Sequence, residues 1–299
     1  SYLDNPIEVS KISLLAISSF LIVYPNFSDY IIRKNYSEIL NFVFKSSSIK
    51  ESRILLPPAF KGFGNMIYAI RSKSKQMITF LNSIDFEAFV ISLNFLEICN
   101  YLFANYSIYQ FFRQKDFTLP IEMIIDIFKY LNKTICSEIS NDICEKSEVH
   151  SYALNAIDLF LLSDQFPIEI KPEVVLKSEI NTTIDRYFKI DGIIREQITA
   201  LSIVSSFYSL NIPDLYNLIL YIKPIFDIVS NNNQHEFRYI KNICSIIKEI
   251  VDSPNGSWAL NLLYQSDLLS SLYNYAKFSS NYKEKSIVTG VLAIIGERN

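Results

Sequence analysis

The sequence predicts an all-α chain in which short helical units stack in a row as an α-solenoid. Three observations lead there. Glycine is scarce, with 6 in 299 residues, whereas a β-rich chain of this length needs many turn glycines. The 10 prolines act as punctuation, and several open an apolar stretch with an acid close behind. Inside those stretches apolar residues recur at three and four, the period of a helix face.

The elements follow in order. Pro6 opens a helix over 7–23, and apolar periodicity carries helices over 28–45, 59–81 and 86–112. The last holds an aromatic stripe of Phe95, Tyr101, Phe103, Tyr106, Tyr109, Phe111 and Phe112. Such a stripe is core packing or a binding patch, and the "RQKD" after Phe111–Phe112 places those two rings at an exposed helix end. Pro120 opens 120–140, and a helix over 148–163 follows. "KPE" at 171–173 opens 173–189, and "IPD" at 212–214 opens 214–230. Proline suits a first turn because its missing N–H would be unpaired there, and acids there suit the helix dipole. Ile194, Ile198, Leu201 and Val204 stripe 193–209; Phe237, Ile240, Cys244, Ile247 and Ile250 stripe 236–251. Helices over 257–264, 267–277 and 284–296 close the chain. Residues 1–299 form a single α-solenoid domain, with divergent repeats over 1–147 and clearer ones over 148–299.

The repeat shows when helices are aligned on an apolar pair at i and i+3. The pairs are Ile98/Tyr101, Ile157/Phe160, Leu201/Val204, Cys244/Ile247 and Leu292/Ile295. Successive spacings are 59 residues (98 to 157), 44 (157 to 201), 43 (201 to 244) and 48 (244 to 292). The last three lie near the ~40–47 residues of HEAT and armadillo units. The first requires an insertion, placed at Cys136–Lys146. "NLLYQSDLLSSLYNYAKFSSNYKEKSIVTGVLAIIG" resembles an armadillo unit: a short helix, a second, a polar gap and a long third helix. Leu215–Val251 follows the same plan, and the resemblance covers roughly 148–296. It implies a right-handed, armadillo-like superhelix with a concave protein-binding face. Peptide-binding armadillo proteins resemble one another in an Asn on the third helix. Here that place holds Asn100, Leu159, Ile203, Ile246 and Ile294. With Trp258 the single Trp, the Trp–Asn ladder of nuclear-import adaptors is absent.

Composition removes other classes. A net charge of −3 and a pI near 5.6 oppose general affinity for nucleic acid, which needs dense Lys/Arg on one face. Mean hydropathy is +0.18, yet the best apolar run, Ile12–Tyr24, is shorter than the ~18 residues a membrane span needs. It is expected to be a buried amphipathic helix, so no transmembrane segment is expected. Asp4, Glu8 and Lys11 precede it, which is not the basic start of a signal peptide. Cys99, Cys136, Cys144 and Cys244 form no C-x-x-C pair, which leaves no zinc pattern. They read as buried thiols of an intracellular protein, in cytoplasm or nucleus. N-x-S/T sequons read as chance in an Asn- and Ser-rich chain. The first residue is Ser1 rather than Met, the pattern of a processed or excised chain.

A polar pair recurs one turn before the apolar one on three successive helices: Tyr152/Asn155, Glu196/Thr199 and Tyr239/Asn242. Spacing of i, i+3 puts each pair on one face. Stacked units align them as a protein-binding stripe, although an ordinary solvated face could carry the same residues. The basic run Arg71–Gln76, "RSKSKQ", is a solvated face or a site for an acidic partner or phosphate. His150 and His235 lack a nucleophile motif and read as capping or surface residues. "GFG" at 62–64 follows no strand and lacks the Lys of a phosphate loop. Asp126, Asp158 and Asp164 form no Asp-rich metal pair. The expected role is a non-catalytic scaffold or adaptor without cofactor, binding other proteins. The competing readings are an all-α enzyme with an unrecognised site and a membrane-surface solenoid docking through Arg71, Lys73 and Lys75. The apolar last helix, with Ile287, Val288, Val291, Leu292, Ile294 and Ile295, is expected to self-associate or to meet further repeats.

Overall fold

A computed structural model describes residues 6–33, 35–97, 100–114, 117–136, 143–188, 194–231 and 237–298. These residues form seventeen α-helices, and no strand occurs among them. They are α1 (Pro6–Val23), α2 (Ser28–Arg33), α3 (Tyr36–Lys45), α4 (Leu56–Ile70), α5 (Ser74–Asn82), α6 (Phe86–Leu93), α7 (Tyr101–Phe112), α8 (Ile121–Cys136) and α9 (Ile143–Leu162). Then come α10 (Ile170–Lys177), α11 (Ile180–Phe188), α12 (Ile194–Ser209), α13 (Ile222–Asn231), α14 (Phe237–Asp252), α15 (Gly256–Gln265), α16 (Leu268–Phe278) and α17 (Tyr282–Glu297).

Several stretches predicted as single helices are broken. Asn35 separates α2 from α3 at φ 56, and Glu179 separates α10 from α11 at φ 59. Asp267 takes the same shape before α16, at a break between helices that the sequence already placed there. A left-handed residue cannot continue a right-handed helix, and Asn and Asp adopt that shape most readily. The predicted 214–230 helix begins as a 3-10 turn over Pro213–Tyr221. Apolar periodicity runs through such corners unchanged, so it does not reveal them.

Clustering of contacts divides the chain into two compact units, Ser1–Ile170 with Val174–Ile180, and Lys171–Glu173 with Asn181–Asn299. In the first, α1, α4, α7 and α9 pack each on the next as one layer. A second layer is built the same way from α3, α6 and α8. In the second unit, α12, α14 and α17 pack in sequence, and α13 packs on α16 beside them.

Several polar ties join helices 44–47 residues apart. Asn65 Nδ2 donates to Ser18 O and Oγ at 3.0 and 2.7 Å, across 47 residues. Ser107 Oγ donates to Phe60 O across 47, and Asn105 Nδ2 to Val149 O across 44. Asn132 Nδ2 donates to Ser178 O across 46. In the second unit Ser205 meets Glu249 across 44 residues, Asn255 meets Tyr208 O across 47, and Arg298 pairs with Asp252 across 46. The sequence spacing of 59 arose from anchoring at the front of α7, where Ile98 lies outside the described residues. The Asn105–Val149 tie sets the interval from α7 to α9 at 44. Most of the insertion proposed at Cys136–Lys146 also lies outside the described residues.

Phenylalanines knit the first unit. Phe44, Phe60, Phe63 and Phe89 hold centroids 5.1–5.3 Å apart, within the range of favourable ring pairs. Phe128 and Phe166 flank Phe160 at 4.9 and 4.8 Å. Phe111 and Phe112 belong to this core, buried rather than exposed as the sequence suggested, because α7 ends between α6 and α9 neighbours.

The buried helix expected at the N-terminus is corrected. α1 buries Leu14, Ser18 and Leu21 against α4 and leaves Ile12, Phe20, Ile22 and Val23 exposed. It packs on one side only. By length and composition it is the one helix among the described residues long and apolar enough to cross a membrane.

Candidate functional site

The glycines of "GFG" set the site. An added Cβ on Gly64 would stand 2.8 Å from Cδ1 and Cε1 of Tyr106 and 3.1 Å from Ser107 Cα. The bare backbone of α4 thus forms the bed on which the Tyr106 ring of α7 lies. Ser107 reinforces the crossing by donating to Phe60 O.

Around Tyr106 gathers a cluster of tyrosines and arginines from three packed helices. Its ring meets Tyr152 of α9 edge-on at 5.4 Å, and Tyr109 lies 5.5 Å from the same Tyr152. Tyr68 of α4 and its neighbour Arg71 also act on Tyr106 electrostatically. The Arg71 guanidinium lies over the Tyr68 ring at 3.8 Å, and that of Arg113 over Tyr109 at 5.5 Å, both within cation–π reach. The Tyr106 hydroxyl is pushed up to about 12, first by burial and then by Tyr152 and Tyr68, with Arg113 and Arg71 pulling the other way. All four tyrosines are half-buried, and both arginines are exposed.

The geometry is periodic. Arg71 is the C-cap of α4 and Arg113 that of α7. Tyr68, Tyr109 and Tyr152 succeed one another at 41 residues (68 to 109) and 43 (109 to 152). Sequence reasoning found the Tyr152/Asn155 pair and missed its counterparts Tyr68/Arg71 and Tyr109/Arg113. A search for Tyr followed by any polar residue at i+3 or i+4, at that interval, finds them. Between the two arginines a notch of about 270 Å³ opens, lined also by Ser74, Met77, Gln114 and Phe117.

The six residues chosen from sequence have different fates. Tyr152 is in the cluster. Asn155 is half-buried and donates to Ser151 O at 2.6 Å within its own helix. Glu196 is corrected: it is 3% exposed, not part of a solvated stripe. As the third residue of α12 it turns back and accepts from the Tyr187 hydroxyl at 3.1 Å. Thr199 is half-buried and donates to Arg195 O. Tyr239 is half-buried with the Arg238 guanidinium 5.1 Å from its ring, and Asn242 is exposed. Of the basic run, Lys73 is held by Asp29 at 2.9 Å and Lys75 is exposed. His150 is buried rather than a surface residue, and His235 lies outside the described residues.

A larger cavity of about 760 Å³ in the second unit gathers Asp227, Tyr275 and Glu284. Its carboxylates are engaged. Lys223 holds Asp227 at 2.5 Å, and the Tyr275 hydroxyl donates to Glu284. No group of three or more His, Cys, Asp or Glu that could hold a metal ion occurs among the described residues. No protein-family model matches the sequence, and neither does any curated protein.

Proposed function

We propose that the chain is a non-catalytic scaffold that binds another protein, each unit being a run of a right-handed, armadillo-like α-solenoid. Polar ties across 44–47 residues support the solenoid reading, because ~40–47 residues is the length of such a unit. Layers in which each helix packs on the next, such as α1, α4, α7 and α9, are what a repeat stack requires.

One observation carries the binding role: Tyr68, Tyr109 and Tyr152 sit at matching places on three stacked helices, with Arg71 and Arg113 beside the first two. Tyr and Arg are enriched among the residues that dominate interface energetics, Tyr because it offers large area and a polar end at little conformational cost, Arg because its planar fork makes several hydrogen bonds at once. A peptide library selected on the whole chain tests this. Selected peptides lose about tenfold or more in affinity with Tyr109→Ala plus Tyr152→Ala, a change of at least ~1.4 kcal/mol. Unchanged affinity, with helix content preserved by circular dichroism, overturns it.

The open apolar face of α1 favours a second reading, attachment to a membrane surface. Flotation with neutral liposomes, lost on Phe20→Ser plus Val23→Ser, would support it in place of the first.

A further inference from the structure

We propose that the notch between Arg71 and Arg113 holds a phosphate monoester carried on an apolar stem by an extended protein segment. The inference rests on the scaffold reading and names the chemistry of the partner.

Arg71 and Arg113 line one notch, and neither forms an ion pair with a described carboxylate. Arg71 contacts the Tyr68 face, and Arg113 contacts Tyr109 and reaches Gln110 Oε1 at a long 3.5 Å. Nor does any described carboxylate line the notch. Two guanidiniums held over rings keep their N–H edges open to an anion. Planar forks of that kind match phosphate oxygens, and charge-assisted bonds to them are the strong ones. The carbonyl ends of α4 and α7 offset part of this positive charge. The start of α5, at Ser74 on the wall, adds to it. Two cations suit a dianion better than a carboxylate.

The remaining wall sets the stem. Met77, Ile78 and Phe117 are apolar, and the notch has room for one side chain rather than a large headgroup. The tyrosine row leads away from it over α7 and α9. That suits a chain whose neighbouring residues continue across the face.

Phenyl phosphate is the probe, titrated into the full chain at low ionic strength and followed by calorimetry. Binding is expected to exceed that of benzoate by about tenfold, the gain from dianion over monoanion. Arg71→Gln and Arg113→Gln each weaken it by a similar factor, and Lys248→Gln, an exposed cation of the second unit, does not. Equal binding of benzoate, or equal loss with Lys248→Gln, overturns the site. Binding of phosphoinositide vesicles that needs both arginines, without binding of phenyl phosphate, overturns the protein source in favour of a membrane. If library-selected peptides bind through Tyr109 and Tyr152 while phenyl phosphate does not, the notch falls and the scaffold stands. If neither binds, both fall.

Discussion

Tyr36→Phe should make the protein more stable, and increasingly so in alkali. The Tyr36 ring is 1% exposed, and its hydroxyl has no hydrogen-bonding partner among the described residues. It points at the backbone of α4, where an added Cβ on Gly62 would lie 2.0 Å from the oxygen. A buried hydroxyl without a partner costs about 1–3 kcal/mol. Removing it forfeits a few dispersion contacts of ~0.1–0.2 kcal/mol each, so the net gain is about 1 kcal/mol near neutral pH. Burial pushes the phenol well above its ordinary pKa of 10.0. Above pH 10 the unfolded chain therefore loses a proton that the folded chain keeps. Stability falls there by about 1.4 kcal/mol per pH unit for this group. Phe lacks that loss, so its advantage grows to roughly 2–3 kcal/mol by pH 11. Urea unfolding followed by circular dichroism reads the difference, while Trp258 fluorescence reports the second unit alone. Gly62→Ala should be severely destabilising in the unsubstituted chain and much milder when combined with Tyr36→Phe, because the nearest remaining atom is then Cζ at 3.3 Å. A loss of stability in Tyr36→Phe, or an advantage that stays flat from pH 8 to 11, would refute the reasoning.

Tyr187→Phe strips a hydrogen bond from the buried Glu196 and should cost about 1–3 kcal/mol, visible in the Trp258 transition of the second unit. Cys244, buried with its thiol pushed up to about 12 by desolvation, should resist iodoacetamide at pH 8 until urea unfolds the chain. Peptide mapping that finds it alkylated under native conditions contradicts the assigned burial. Gly290 has open space around its missing Cβ, so Gly290→Glu should leave stability within about 0.5 kcal/mol of the unsubstituted chain. A larger loss in urea unfolding would contradict the open surroundings.

Much of this architecture was legible in the sequence. Apolar recurrence at three and four located the helical stretches, and punctuating prolines marked several of their starts. The spacing of 43 residues from Leu201 to Cys244 lies close to the 44 across which Ser205 and Glu249 are tied. The corners were hidden because a left-handed Asn35 or Glu179 leaves the apolar pattern in phase. Glu196 misled because charge in a sequence reads as exposure, whereas a partner such as the Tyr187 hydroxyl helps make burial tolerable. The Tyr–Arg cluster was overlooked for the opposite reason. Tyr106 and Tyr109 belonged to an aromatic stripe that also holds the buried Tyr101, Phe111 and Phe112, Tyr68 stood in no motif, and which rings of the stripe stay partly open depends on which helix lies against Gly64.

Several ties described above span 44–47 residues. If each unit is the stacked repeat proposed above, pulling on its ends loads one such interval at a time. It should then yield in a sawtooth of similar ruptures, each freeing one repeat. About 45 residues of released chain lengthen the tether by roughly 150 Å per tooth, at ~3.3–3.6 Å per residue.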